Sequence, residues 1–118
     1  MATWVYTRGN SMADLRTQVR TWSREQHLRS PDDVALVVTE LVTNSLLHAR
    51  AQTVPVRLEL EGDHAVISVD DPSAVVPARA SAGRQDEHGR GLLVLDALCT
   101  RWGCTGLPSG KRTWCEIL

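Results

Sequence analysis

The stretch VALVVTELVTNSLLHA, residues 34–49, is apolar around most of a helical circumference yet carries Glu40, Asn44 and His48. Such a helix is buried on most of its surface. At about 100° per residue, positions i, i+4 and i+8 drift only about 80° round the axis, so the three polar residues form one continuous ridge. Asn occurs elsewhere only at Asn10, so the chain does not scatter this residue type. A carboxylate on an apolar helix is paired, protonated, or open to a cavity that solvates it. One reading is a helix edge, with Glu40 in solvent and Asn44 bonded to a neighbouring loop. The other is a site lined by the ridge, where a Glu orients or deprotonates a nucleophile and an Asn carbonyl oxygen ligates Mg2+. His48 suits a structural place at the helix end, favoured by the dipole, as well as it suits a contact.

Upstream, Ser30-Pro31-Asp32-Asp33 is a strong helix start, with a Ser cap, Pro in the first turn and acids at the positive end of the dipole. The helix is expected to run to about His48 or Arg50. WVYTR (4–8) reads as a short edge strand. MADLRTQVRTWSREQHL (12–28) spaces Met12, Leu15, Val19, Trp22 and Gln26 in a helical rhythm with arginines opposite. Downstream, VPVRLELEG (54–62) alternates as a half-buried strand, Gly62-Asp63 turns, and HAVISVDD (64–71) returns. PSAVVPARASAGRQDEH (72–88) reads as a loop of a length that is usually functional. A helix follows at 90–99, and TRWGCTGLPSGKRTWCEIL gives two short closing strands around a Gly/Pro/Ser turn. This order predicts an α+β, two-layer sandwich: a mostly antiparallel mixed sheet covered on one face by about three helices.

Composition narrows the class. A chain of 118 residues with 42% apolar and 23% charged content is expected to be a single globular domain, 1–118. A net charge of −1 gives no electrostatic reason to expect nucleic acid or membrane as a partner. No apolar run reaches transmembrane length, and residues 1–30 are too polar and arginine-rich for a signal peptide, so the cytoplasm is the expected location. Cys99, Cys104 and Cys115 are odd in number and form no CxxC pair, which argues against zinc and against a disulfide framework. They are expected to be reduced packing residues. Of 13 basic side chains only Lys111 is a lysine, a bias typical of a GC-rich genome.

Two further features carry chemistry. The strand at 64–71 delivers Asp70-Asp71-Pro72-Ser73 into the loop, and alternation puts Asp71 on the face of Ile67 and Val69. Either both acids are solvated in an Asx-Pro turn, or Asp71 is a buried carboxylate that accepts from an exocyclic amino group such as that of adenine. Then His88-Gly89-Arg90-Gly91 opens the helix LLVLDALC. Glycines there let backbone approach a ligand, and free N–H groups at a helix start favour an anion. The pair alone is a weak signal: it lacks the GK[ST] of a P-loop and the preceding strand of a dinucleotide fingerprint.

Taken in order, ELVTNSLLHA, DDPS and GRGLLVLDALCTRWG…GKRTWCEI resemble the ATP-binding domain of the GHKL superfamily (gyrase, Hsp90 and histidine kinases). The closer likeness is to small actinobacterial proteins related to anti-sigma-factor serine/threonine kinases, over about Ala13 to Leu118. The resemblance implies the Bergerat, histidine-kinase-like fold, with ATP and Mg2+ as cofactors. It puts Glu40 in the place of the catalytic carboxylate, Asn44 in that of the Mg2+ ligand, and His48 beside them. Asp71 takes the place of the adenine-reading acid, with Ser73 where the wider superfamily has glycine. Gly89, Arg90, Gly91 and Leu92 form the phosphate-side glycine box, and residues 74–88 the lid. Two departures stand out. No second glycine-rich box lies between Ser73 and Gly83, so weaker phosphate closure is expected. The last strand begins Gly110-Lys111-Arg112-Thr113 where the superfamily often has Gly-Thr. Alternation puts Lys111 and Thr113 on one face, from which either can reach the nucleotide, while Lys111 fits an exposed strand position equally well.

The resemblance implies a protein serine/threonine kinase acting on a small partner, an anti-anti-sigma-like regulator, or a protein that holds a sigma factor. A homodimer is a further expectation drawn from it. The alternative is a catalytically silent nucleotide-binding interaction module. Glu40 favours the first, the short lid the second. A histidine-kinase fragment is disfavoured, because no helix with a phosphoacceptor His precedes the domain.

Overall fold

The computed structural model describes residues 1–73 and 87–118, and within them the side chains of all but His48 and residues 87–92. The elements are β1 (Ala2–Thr7), α1 (Met12–Glu25), α2 (Pro31–His48), β2 (Thr53–Glu61), β3 (His64–Asp71), α3 (Glu87–Leu98), β4 (Arg101–Leu107) and β5 (Gly110–Ile117). The strands form one sheet in the order β1-β2-β3-β5-β4, antiparallel at every pairing. This is the expected α+β architecture, with the helices layered on one face.

Strand alternation explains that layering. Val54, Leu58, Ala65, Ile67 and Cys115 point to the helices and are 0% exposed, as are Val34, Val37, Val38 and Val42 of α2 facing them. Each buried Val, Leu or Ile among them contributes about 1.5–3 kcal/mol relative to leaving it in water. Residues of opposite parity line the other face, where Val5 is 63% exposed. Helix α2 lies over β2 and β3, with α1 and α3 packed beside it.

The helix ends follow local chemistry. Ser30 caps α2, its side chain accepting from the Asp33 N–H at 3.4 Å, with Pro31 in the first turn. Helix α1 stops before the expected residue 28 because His27 takes a left-handed φ of 57°. The Leu28 N–H then donates to the Ser23 carbonyl and the His27 N–H to the Arg24 carbonyl, each at 3.0 Å, which closes a Schellman cap. At the far end of α2, Arg50 is likewise left-handed, and Arg8 Nη2 donates to the Leu46 and Ala51 carbonyls at 2.8 and 2.9 Å. Arg8 thereby satisfies a carbonyl that the helix end leaves without an intrahelical donor. None of the described helices is long and apolar enough to cross a membrane.

Helix α3 begins at Glu87, one turn earlier than the expected start at residue 90. Gly89 and Gly91 therefore lie within the helix rather than in a turn before it. A glycine costs about 1 kcal/mol inside a helix but does not forbid it. Residues 74–86, most of the expected lid, lie outside the described residues.

Candidate functional site

Asp71 ends β3 on the helix-facing side, in line with Ala65, Ile67 and Val69, as alternation predicts. Its carboxylate is ringed by donors. Oδ1 accepts from Lys111 Nζ at 3.0 Å and from the Ser73 N–H at 2.9 Å, and Oδ2 accepts from Ser45 Oγ at 3.4 Å. Lys111 Nζ also donates to the Ser73 carbonyl at 3.3 Å. The side chains of Lys111 and Asp71 are only 8% and 6% exposed. The Asx turn considered from the sequence thus exists, through the Ser73 N–H, but its carboxylate is buried instead of solvated. The exposed-strand reading of Lys111 is overturned: cross-strand pairing with Asp71 draws the ammonium under the helices.

Gly110 makes this corner possible. A Cβ there would overlap the Asp71 carbonyl oxygen and stand 2.8 Å from the Pro72 Cα, so the two chain segments cross closer than any side chain allows. Two residues beyond Lys111 and pointing the same way, Thr113 is 8% exposed and has its Oγ1 3.5 Å from Cys104 Sγ.

Helix α2 forms the opposite wall. Glu40 and Asn44 are half-buried, beside the buried stripe of Leu41 and Ser45. Ser45, next to Asn44, is the helix residue that touches Asp71. The ridge periodicity points to Asn44 and passes over Ser45, since only the strand below turns a core-facing serine into a contact. The side chains of His48, Arg90 and Leu92 lie outside the described residues. Asp71, Ser73, Ser45 and Lys111 are brought into direct contact, and Glu40 and Asn44 stand on the helix that roofs them.

Asp70 has a separate role. It points to the uncovered face, where Arg112 Nε and Nη2 meet its two oxygens at 2.7 and 3.0 Å. Hydrogen bonds to Asp70 hold the Arg112 guanidinium above its ordinary pKa. Cys99, Cys104 and Cys115 are free thiols, and Cys115 is fully buried. Its pKa is pushed well above the ordinary value, first by hydrogen bonding with Cys99 and then by burial.

The donors leave acceptor capacity on the Asp71 carboxylate. A carboxylate offers about four lone-pair sites, and Asp71 uses three, leaving Oδ2 able to accept from an amino group. Among the described residues no group of three or more His, Cys, Asp and Glu side chains could hold a metal ion.

The model of a family described as the histidine kinase-like ATPase domain matches residues 7–113. The chain is also 37% identical, over 83 residues, to the uncharacterized protein SCO4941 of Streptomyces coelicolor, a match covering 67% of this chain and 79% of that protein.

Proposed function

The chain belongs to the histidine kinase-like ATPase domain family, and from that premise we propose that it is a Mg·ATP-dependent regulator of the anti-sigma-factor-kinase type. It phosphorylates a Ser or Thr of a small anti-anti-sigma-like protein, or holds a sigma factor according to its nucleotide state. The observation that carries the reading is the buried Asp71 carboxylate, held by Ser45, Ser73 and Lys111 with one acceptor site to spare. Bound Mg·ATP would supply the phosphoryl group and much of the charge neutralisation. The remaining roles belong to this chain. Asp71 and Ser73 fix the base, Asn44 holds the cation, and Gly89 and Gly91 bare the backbone of the α3 start near the phosphates. Glu40 accepts the proton of the attacking hydroxyl, for phosphoryl transfer depends on positioning and charge rather than on covalent help from the protein.

Isothermal titration with Mg·ATP tests the reading: the wild-type chain binds and Asp71→Asn does not. No binding by the wild type sinks it. Glu40→Ala is expected to bind ATP yet transfer no phosphate to the partner. If that variant still regulates its partner fully, the chain is instead the silent nucleotide-binding module that its short lid favours.

A further inference from the structure

We infer that Lys111 reads the base together with Asp71, donating to a ring nitrogen next to the exocyclic amine that Asp71 accepts. This rests on the nucleotide reading above and adds a specificity-determining residue to it. An ammonium has three N–H donors. Lys111 commits one to Asp71 Oδ1 at 3.0 Å and a second, longer one to the Ser73 carbonyl at 3.3 Å. Among the described residues the third meets no acceptor, which leaves it for a ligand. Asp71 Oδ2, by contrast, receives among the described residues only the 3.4 Å bond from Ser45. The pair therefore presents an acceptor beside a charged donor at the junction of β3 and β5. The Watson–Crick edge of adenine is the complement, an amino N–H beside the N1 acceptor. A ring nitrogen placed there meets a desolvated ammonium, and hydrogen bonds to charged groups are the stronger class.

Burial separates this role from that of a surface charge. Lys111 is 7% exposed and approaches the site from the helix-facing side of β5, while its neighbour Arg112 turns away to Asp70. Lysine suits the task better than arginine would. A guanidinium fork would engage both Asp71 oxygens, as Arg112 engages both of Asp70, and would leave no acceptor for the amine.

The test compares Mg·ATP with Mg·1-deaza-ATP, in which a C–H replaces N1, by isothermal titration on the full chain. The wild type is expected to bind the analogue about tenfold to a hundredfold more weakly, the loss of one charged hydrogen bond. Lys111→Met is expected to bind ATP more weakly than the wild type and to treat the two nucleotides alike. Equal wild-type affinities for ATP and its analogue overturn the inference and leave the nucleotide reading intact. A gain in ATP affinity in Lys111→Met overturns it too, because Lys111 would then be a plug on Asp71. The wild-type comparison needs no variant, so equal affinities overturn the inference even if Lys111→Met fails to fold. Absence of any Mg·ATP binding removes the nucleotide reading and this inference with it.

Discussion

Asp70 and Asp71 are consecutive residues that face consecutive cations on β5, Arg112 and Lys111, yet they do different work. On the uncovered face, Arg112 grips both oxygens of Asp70 at 2.7 and 3.0 Å, with side chains 36% and 31% exposed. Under the helices, Lys111 meets one oxygen of Asp71 at 3.0 Å, with both side chains almost wholly buried. A fork engages both oxygens of a carboxylate with one cation, whereas a point charge neutralises it from one oxygen and leaves the other to different donors. The same strand thus carries a half-exposed pair on one side and a buried pair on the other. Burial magnifies whatever either pair does, because removing one member of a buried pair strands the other charge in low dielectric.

The largest expected effect breaks the comparison outright. Asp71→Ala should cost about 3–5 kcal/mol by leaving Lys111 buried and uncompensated. Asp70→Ala should cost about 1 kcal/mol or less, since Arg112 regains water. Urea unfolding of both variants checks this, and equal losses would mean that the two faces are not energetically distinct. The Asp70 loss should also shrink in high salt, while a buried pair is screened much less.

Next comes the glycine that lets the buried pair form. Gly110→Ala places a methyl against the Asp71 carbonyl and Pro72, where backbone must yield, and overpacking of this kind costs about 1–3 kcal/mol or more. Gly103, on the uncovered face, is the control: its added Cβ would meet the rim of Trp114 at 2.9 Å, and a side chain at a half-open surface can shift. Thermal melts should therefore rank Gly110→Ala well below Gly103→Ala, and the first variant should also lose Mg·ATP binding. A Gly110→Ala protein that melts like the wild type would deny that the corner is tight.

Much of this was legible in the sequence, for reasons that stop at identifiable points. Alternation along HAVISVDD gives the face of Asp71, and Ser30-Pro31-Asp32-Asp33 gives the start of α2, because both are local. Depth is not local. Lys111 shares its parity with Thr113, but only the pairing to β3, 40 positions away, decides that its ammonium is buried. Ser45 lies one residue from the polar ridge and becomes a contact only once β3 is placed beneath it. The end of α1 turns on a non-glycine residue, His27, accepting a left-handed φ that carries no strong sequence mark. The start of α3 lies a turn before residue 90, since glycine in a first turn costs a helix little and the structure carries the helix through both Gly89 and Gly91.

The smallest expected effect sharpens the uncovered face alone. There Glu116 accepts from Arg101 Nη2 at 2.7 Å and Nε at 3.2 Å, and Arg101 stacks 5.6 Å from the Trp114 ring centroid. The hydrogen bonds from Arg101 hold the Glu116 carboxyl below the usual glutamate range. A carboxylate whose folded pKa is depressed favours the folded state at pH above its unfolded value, and that contribution drains away as pH falls through the folded value. The window therefore opens near the ordinary glutamate pKa of roughly 4.3 and extends to more acid pH. Because the pair is exposed, salt and water reduce the effect to a modest slope. Melting temperatures of the wild type and Glu116→Gln should converge on acidification through that window and part at neutral pH. Parallel curves would mean that the Arg101 contact adds nothing to folding, and would leave the buried Asp71 corner as the part of β3 and β5 whose charges matter.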